Sequence, residues 1–129
     1  MRIVNQQLLK EFRYVARCEF CKRPSQGCDP HHLRCKGMGG GSRLDVRCNL
    51  IALDRLCHSE FHAGNIAYYD LLAIVAAREG VNQRDIEAVV NLILRLPKDC
   101  RPWQLDQERE QLNIASQLLL DRTLKETTR

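Results

Sequence analysis

Four short stretches decide how this chain folds: Cys18-Glu19-Phe20-Cys21, Asp29-Pro30-His31-His32-Leu33, Asn49-Leu50-Ile51-Ala52-Leu53 and Cys57-His58-Ser59-Glu60-Phe61-His62. They hold all four histidines, and six of the seven cysteines (Cys18, Cys21, Cys28, Cys35, Cys48 and Cys57) fall within the 40 residues that begin at Cys18. An odd cysteine count argues against complete disulfide pairing. The opening Met1-Arg2-Ile3-Val4-Asn5-Gln6-Gln7 meets polar residues too soon for a secretory signal, so a cytoplasmic protein with reduced thiols is expected. Metal is therefore the first expectation for this cluster.

Cys18 and Cys21 have the two-residue spacing that lets two thiolates occupy adjacent corners of a tetrahedral zinc. Cys57 suits a third corner. The position three before it, where a second cysteine would complete the pattern, is Asp54. A Cys3Asp structural zinc made by Cys18, Cys21, Asp54 and Cys57 follows, with Cys48 or Cys28 as alternative fourth ligands and unmetallated buried thiols as the plain reading. His58 and His62 lie four apart, on one face of a helix, at a spacing suited to one ion. On a strand His31 and His32 point to opposite faces, so one can ligate while the other meets a different group.

Outward from this cluster, Asn5 caps a helix with apolar positions at Leu8, Leu9, Phe12 and Val15, ending near Ala16. Cys18 to Asp29 reads as a knuckle and loop, and Pro30 to Lys36 as a short strand. Gly37 to Ser42 is an irregular glycine-rich connection, Asn49 to Leu53 a buried strand, and Arg55 to Ala63 a helix stopped by Gly64. Helices follow: Ile66 to Glu79, then one capped by Asn82 with Asp85 at its third position, ended by Pro97, then Gln104 to Lys125. Trp103, at the entrance of the last, is read as a core anchor. Ala76, Gly80, Val81, Ile86 and Val89 also fit a helix-turn-helix, which would present Asn82, Gln83 and Arg84 to base edges; Asp85 and Glu87 are unfavourable there, and a plain helical hairpin explains the same residues.

With 129 residues, 44% apolar and 28% charged, the composition is that of one globular domain, and no apolar run reaches the roughly 20 residues of a membrane span. Net charge is +4, unevenly spread: 11 Lys/Arg against 6 Asp/Glu through Ala63, and 9 against 10 after it. The basic half is the one with the metal-ligating residues, which suits a polyanionic partner. Arg34, Lys36, Arg43 and Arg47 are the candidate phosphate contacts.

Taken in order, Cys18-x2-Cys21, Asp29-Pro30-His31-His32-Leu33, a glycine-rich gap, Asn49-Leu50-Ile51-Ala52-Leu53 and Cys57-His58-x3-His62 resemble the HNH (His-Asn-His) endonuclease family. The resemblance covers residues 18–62; the departure is Asp54, where zinc-knuckle members usually carry cysteine. It implies an α+β protein: a ββα-metal nuclease core with a zinc knuckle at 18–64, a packing helix at 1–17 and a helical extension at 65–129. It implies that His32 is the general base, that His31, His58 and His62 hold a catalytic divalent ion (Mg, Mn, Ni or Zn), and that Asn49 either braces the loop bearing the base or joins the metal shell. The implied partner is DNA, cut by hydrolysis to leave 5′-phosphate and 3′-hydroxyl ends. The C-terminal helices are a candidate homodimer interface, and no membrane association is expected. The alternative from another class is a non-catalytic zinc-bearing DNA-binding or adaptor protein that works through its helical tail.

Overall fold

The computed structural model describes residues 1–35 and 43–127. Its elements are α1 (Gln6–Arg13), β1 (Asp29–His32), a 3-10 turn (Arg47–Asn49), β2 (Leu50–Leu53), α2 (Arg55–His62), α3 (Tyr68–Glu79), α4 (Gln83–Arg95), α5 (Pro102–Glu110) and α6 (Ile114–Thr127). The protein is thus mixed α and β, with helices dominating a small sheet. Among the described residues no helix is long and apolar enough to cross a membrane.

β1 and β2 pair antiparallel, with His31 opposite Ile51 and His32 opposite Leu50. All four residues of β2 are buried, as a continuous apolar run covered on both faces requires. β1 is polar and alternates, so His31 is buried while His32 is only half-buried. The strand stops at His32, short of the expected Lys36, for a visible reason. Leu33 still donates its N–H to the Asn49 carbonyl at 2.9 Å, but at Arg34 the Asn49 side chain stands in for the partner strand: its Oδ1 accepts the Arg34 N–H at 3.0 Å, and its Nδ2 donates to the Arg34 carbonyl at 2.9 Å. Lys36 and the Gly37 to Ser42 stretch lie outside the described residues.

One buried cluster runs from Leu9 and Phe12 of α1, through β2, to Leu71, Leu72 and Val75 of α3, Ile86, Val89 and Ile93 of α4, and Leu119 and Leu120 of α6. The helices after Gly64 therefore share their apolar faces with the sheet. Arg78 of α3 strengthens that junction. It donates to both Glu19 carboxylate oxygens at 2.9 Å and to the carbonyls of Arg47 and Leu50 at 2.6 and 3.0 Å, with its guanidinium 5.0 Å from the Phe12 ring centre.

Three local expectations are corrected. Asn82 makes no side-chain cap of α4, and Asp85 turns inward instead, accepting from Ser116 Oγ at 2.8 Å and Asn113 Nδ2 at 3.4 Å. A buried carboxylate needs donors, and α6 supplies them. The single helix expected over Gln104 to Lys125 is two helices, because the Asn113 carboxamide accepts the Ser116 N–H at 2.8 Å and starts a new one. Trp103 is 60% exposed and anchors no core. On the α3–α4 hairpin, Asn82, Gln83 and Arg84 are exposed, while Glu87 pairs with Arg34 at 2.9 Å.

Candidate metal centres and the histidine cluster

Asp54 and the first turn of α2 bring the cysteines together. Asp54 is the N-cap of α2, with Oδ1 accepting the Cys57 N–H at 2.7 Å, while Oδ2 accepts from Cys21 Sγ at 3.0 Å. The ligand atoms of Cys18, Cys21, Asp54 and Cys57 all lie within 4.8 Å of one another. Burial pushes the Cys57 thiol up, and Asp54, Cys21 and Cys18 around it push it further. Burial and Asp54 also oppose ionisation of Cys21, but the Arg23 side by it and Cys18 outweigh them and bring it below the usual thiol value. Three thiols that lose their protons on binding and a carboxylate, held in one place, suit a dication such as zinc and would fill the four corners of a tetrahedral site.

The two alternative ligands lie elsewhere. Cys48 is packed in the core, 3.8 Å from Thr123 Oγ1, where burial pushes its thiol up to about 11. Cys28 is buried outside the four-residue group, and burial with Cys18 nearby raises its thiol as well.

The second group belongs to the other end of the same helix. His58 and His62 lie one turn apart on α2, with their Nε2 atoms 3.1 Å apart, and His31 reaches them from β1. The three rings offer nitrogens within 4.8 Å of one another. For nitrogens about 2.05 Å from a tetrahedral zinc the expected spacing is about 3.3 Å, close to the His58–His62 separation. His58 Nδ1 is 3.0 Å from Asp29 Oδ2; a carboxylate on Nδ1 leaves the Nε2 lone pair facing the cluster, the arrangement usual for a ligating histidine.

His31 is the deepest of the three, 8% exposed, with the Phe61 ring 4.6 Å away and the His58 and His62 rings at 5.1 and 5.7 Å. Burial, then the neighbouring His58, His62 and His32, lower its pKa to about 4, so it is neutral near pH 7. Its Nε2 is buried and has no hydrogen-bond partner. Leaving such an atom unsatisfied costs about 1–3 kcal/mol, and a cation among the three rings satisfies it. A group of three imidazoles would leave further coordination positions of an ion open, unlike the group of four around Cys57.

His32, on the other side of β1, faces Asp45: Nε2 lies 2.7 Å from Oδ1. Asp45 also accepts from Arg43 Nε and an Arg43 terminal nitrogen at 2.8 and 2.7 Å, and from the Asn5 N–H at 2.8 Å. Asn49 is fully buried, and besides holding Arg34 it donates to the Leu44 carbonyl at 3.0 Å. The Asn49 side chain thus ties the backbone of Arg34 to that of Leu44.

The expected phosphate contacts are placed differently from one another. Arg34 bonds Tyr68 Oη and Glu87, both at 2.9 Å, Arg43 grips Asp45, and Arg47 lies 3.5 Å from Glu79. Lys36 falls outside the described residues. Asp29 and Asp45 were not singled out from the sequence. Asp29 had a signal, standing two before His31 in the quoted stretch, whereas Asp45 meets His32 from 13 positions away, which spacing does not reveal.

Comparison of the chain with protein-family models, with curated proteins and with solved structures gives no match.

Proposed function

We propose that the protein is a metal-dependent HNH-type endonuclease that hydrolyses phosphodiester bonds in DNA. The observation that carries this reading is the buried His31 ring, with its unpartnered Nε2, packed against the rings of His58 and His62 while the next residue, His32, contacts Asp45. A purely structural histidine site gives no reason for a second imidazole set back to back with the first.

On this reading the antiparallel β1–β2 pair followed by α2 is the ββα-metal core, and Cys18, Cys21, Asp54 and Cys57 hold a structural zinc that fixes the start of α2. His31, His58 and His62 hold the catalytic divalent ion, with Asp29 orienting His58. When bound, that ion supplies Lewis-acid stabilisation of charge on the phosphoryl group and on the departing 3′ oxygen. His32 takes the proton of the water that attacks phosphorus, and the phosphorus–O3′ bond breaks to leave a 5′-phosphate. Asn49 holds the backbone at Arg34 and Leu44, and so keeps the segment after His32 at a constant distance from β2.

Supercoiled plasmid incubated with the purified protein and Mg, Mn or Ni ions tests the reading. Metal-dependent nicking that EDTA stops and that His32→Ala reduces at least about 100-fold is expected. A clean preparation that binds DNA and never breaks it belongs to the adaptor class instead.

A further inference from the structure

Asp45 is the buried carboxylate that neither metal group uses. It is 0% exposed, and its two oxygens receive four contacts: His32 Nε2 and Arg43 Nε on Oδ1, a terminal Arg43 nitrogen and the Asn5 N–H on Oδ2. Burial alone would raise its pKa, but Arg43, the Asn5 N–H and His32 outweigh burial and hold it below the usual carboxylate value. An ionised carboxylate only accepts hydrogen bonds. The proton between Asp45 and His32 therefore belongs to His32 Nε2, and whenever the ring carries a single proton its lone pair is on Nδ1.

We propose that Asp45, gripped by Arg43, is the positioning residue that fixes His32 with Nδ1 as its proton-accepting atom, and that Arg43 serves the reaction through Asp45 and not as a phosphate contact. The catalytic half of this inference rests on the nuclease reading above; the tautomer half does not. Two parallel donors from a guanidinium set the plane of the carboxylate, which a lysine cannot do. In turn, the Asp45 plane sets the imidazole plane. Asparagine at position 45 keeps the shape but offers one acceptor where four donors converge, so its NH2 is driven toward His32 and the ring loses its reason to keep the proton on Nε2.

The test uses the full chain. Long-range 1H–15N spectra of the histidine rings report the His32 tautomer, and a short labelled duplex reports DNA affinity separately from the cleavage rate of the bound complex. Nε2–H His32 is expected in the wild type and its loss in Asp45→Asn. Asp45→Asn and Arg43→Gln should each slow bound-complex cleavage by about 100-fold or more while changing duplex affinity less than about twofold. Arg43→Lys should rescue little of the rate. Adding Asp45→Asn to His32→Ala should slow cleavage no further, because a residue acting through His32 has nothing left to act on.

An Nδ1–H His32 in the wild type overturns the proposal, as does Arg43→Gln weakening duplex affinity with the bound-complex rate unchanged. Additive slowing by Asp45→Asn and His32→Ala overturns it too. If Asp45→Asn does not fold, Arg43→Gln and the wild-type tautomer decide. If the wild type cuts no DNA the nuclease reading falls, and the tautomer decides the Asp45 contact alone.

Discussion

The Asp54 carboxylate accepts the Cys57 backbone N–H at 2.7 Å, so the residue that starts α2 is also the one that stands among three cysteines. The cap and the contact with Cys21 use different oxygens, Oδ1 and Oδ2. Aspartate is a good helix cap and cysteine a poor one, so the residue at position 54 serves the start of α2 as well as the cysteine group.

Asp54→Ser separates the two duties. Serine still caps α2 but offers no carboxylate, so metal-free stability should stay within a few tenths of a kcal/mol of wild type while zinc affinity falls. Asp54→Ala should lose about 1 kcal/mol of metal-free stability as well. Asp54→Cys should reverse the pattern, holding zinc firmly and losing the cap. Urea unfolding with and without chelator, together with zinc retained per chain, distinguishes the three; equal zinc retention by Asp54→Ser and wild type would remove Asp54 from the ligand set.

Arg78→Ala should destabilise the protein by about 3 kcal/mol, since it leaves the half-buried Glu19 carboxylate and the Arg47 and Leu50 carbonyls without their shared donor. Arg78→Lys should recover only a minority of that loss, because one ammonium cannot reach Glu19 and both carbonyls as a planar fork does. Both variants are checked by denaturant midpoints. The affected carbonyls flank Asn49, so amide exchange near Asn49 should rise in step.

Much of this arrangement was legible in the sequence because it depends on spacing along the chain. Leu50 to Leu53 is apolar throughout and forms a strand, His58 and His62 are one helical turn apart, and Gly80 takes the left-handed conformation that ends α3. What was not legible depends on partners distant in sequence. Asp85 looked like a helix-start residue and instead meets Ser116, 31 positions on. Arg43 reads from the sequence as a phosphate contact, and only the fold shows it sharing the Asp45 carboxylate with His32. Trp103 fails the core expectation because α5 has no buried residue with which to cover it.

The Asp45 carboxyl gives the protein an acid-sensitive contact whose sign is fixed. Its folded pKa is depressed by Arg43, the Asn5 N–H and His32 against the opposing effect of burial. As pH falls below the unfolded value near 3.9, the unfolded chain takes a proton that the folded one refuses, so stability drops through the folded pKa. Above about pH 5 the contribution is complete. The stability difference between wild type and Asp45→Asn should therefore shrink as the pH falls below about 4. Urea titrations across that range check it, and a difference that does not vary with pH would show that ionisation of Asp45 contributes nothing.

His31 sets function against stability. Its buried Nε2 has no hydrogen-bond partner within the protein, and the ring is packed against Phe61, His58 and His62. An apolar side chain of similar size has no polar atom to strand. His31→Leu should therefore raise metal-free stability by about 1–2 kcal/mol, the cost of the orphaned nitrogen less that of imperfect packing. The same change should lower the affinity of the histidine group for a divalent ion by at least about 10-fold, read by titration with cobalt, whose absorption reports ligand number. Metal-dependent stabilisation should fall with it, since an ion stabilises only the state that binds it. A His31→Leu protein less stable than wild type without metal would mean that Nε2 is satisfied in solution, and would undercut the observation on which the nuclease reading stands.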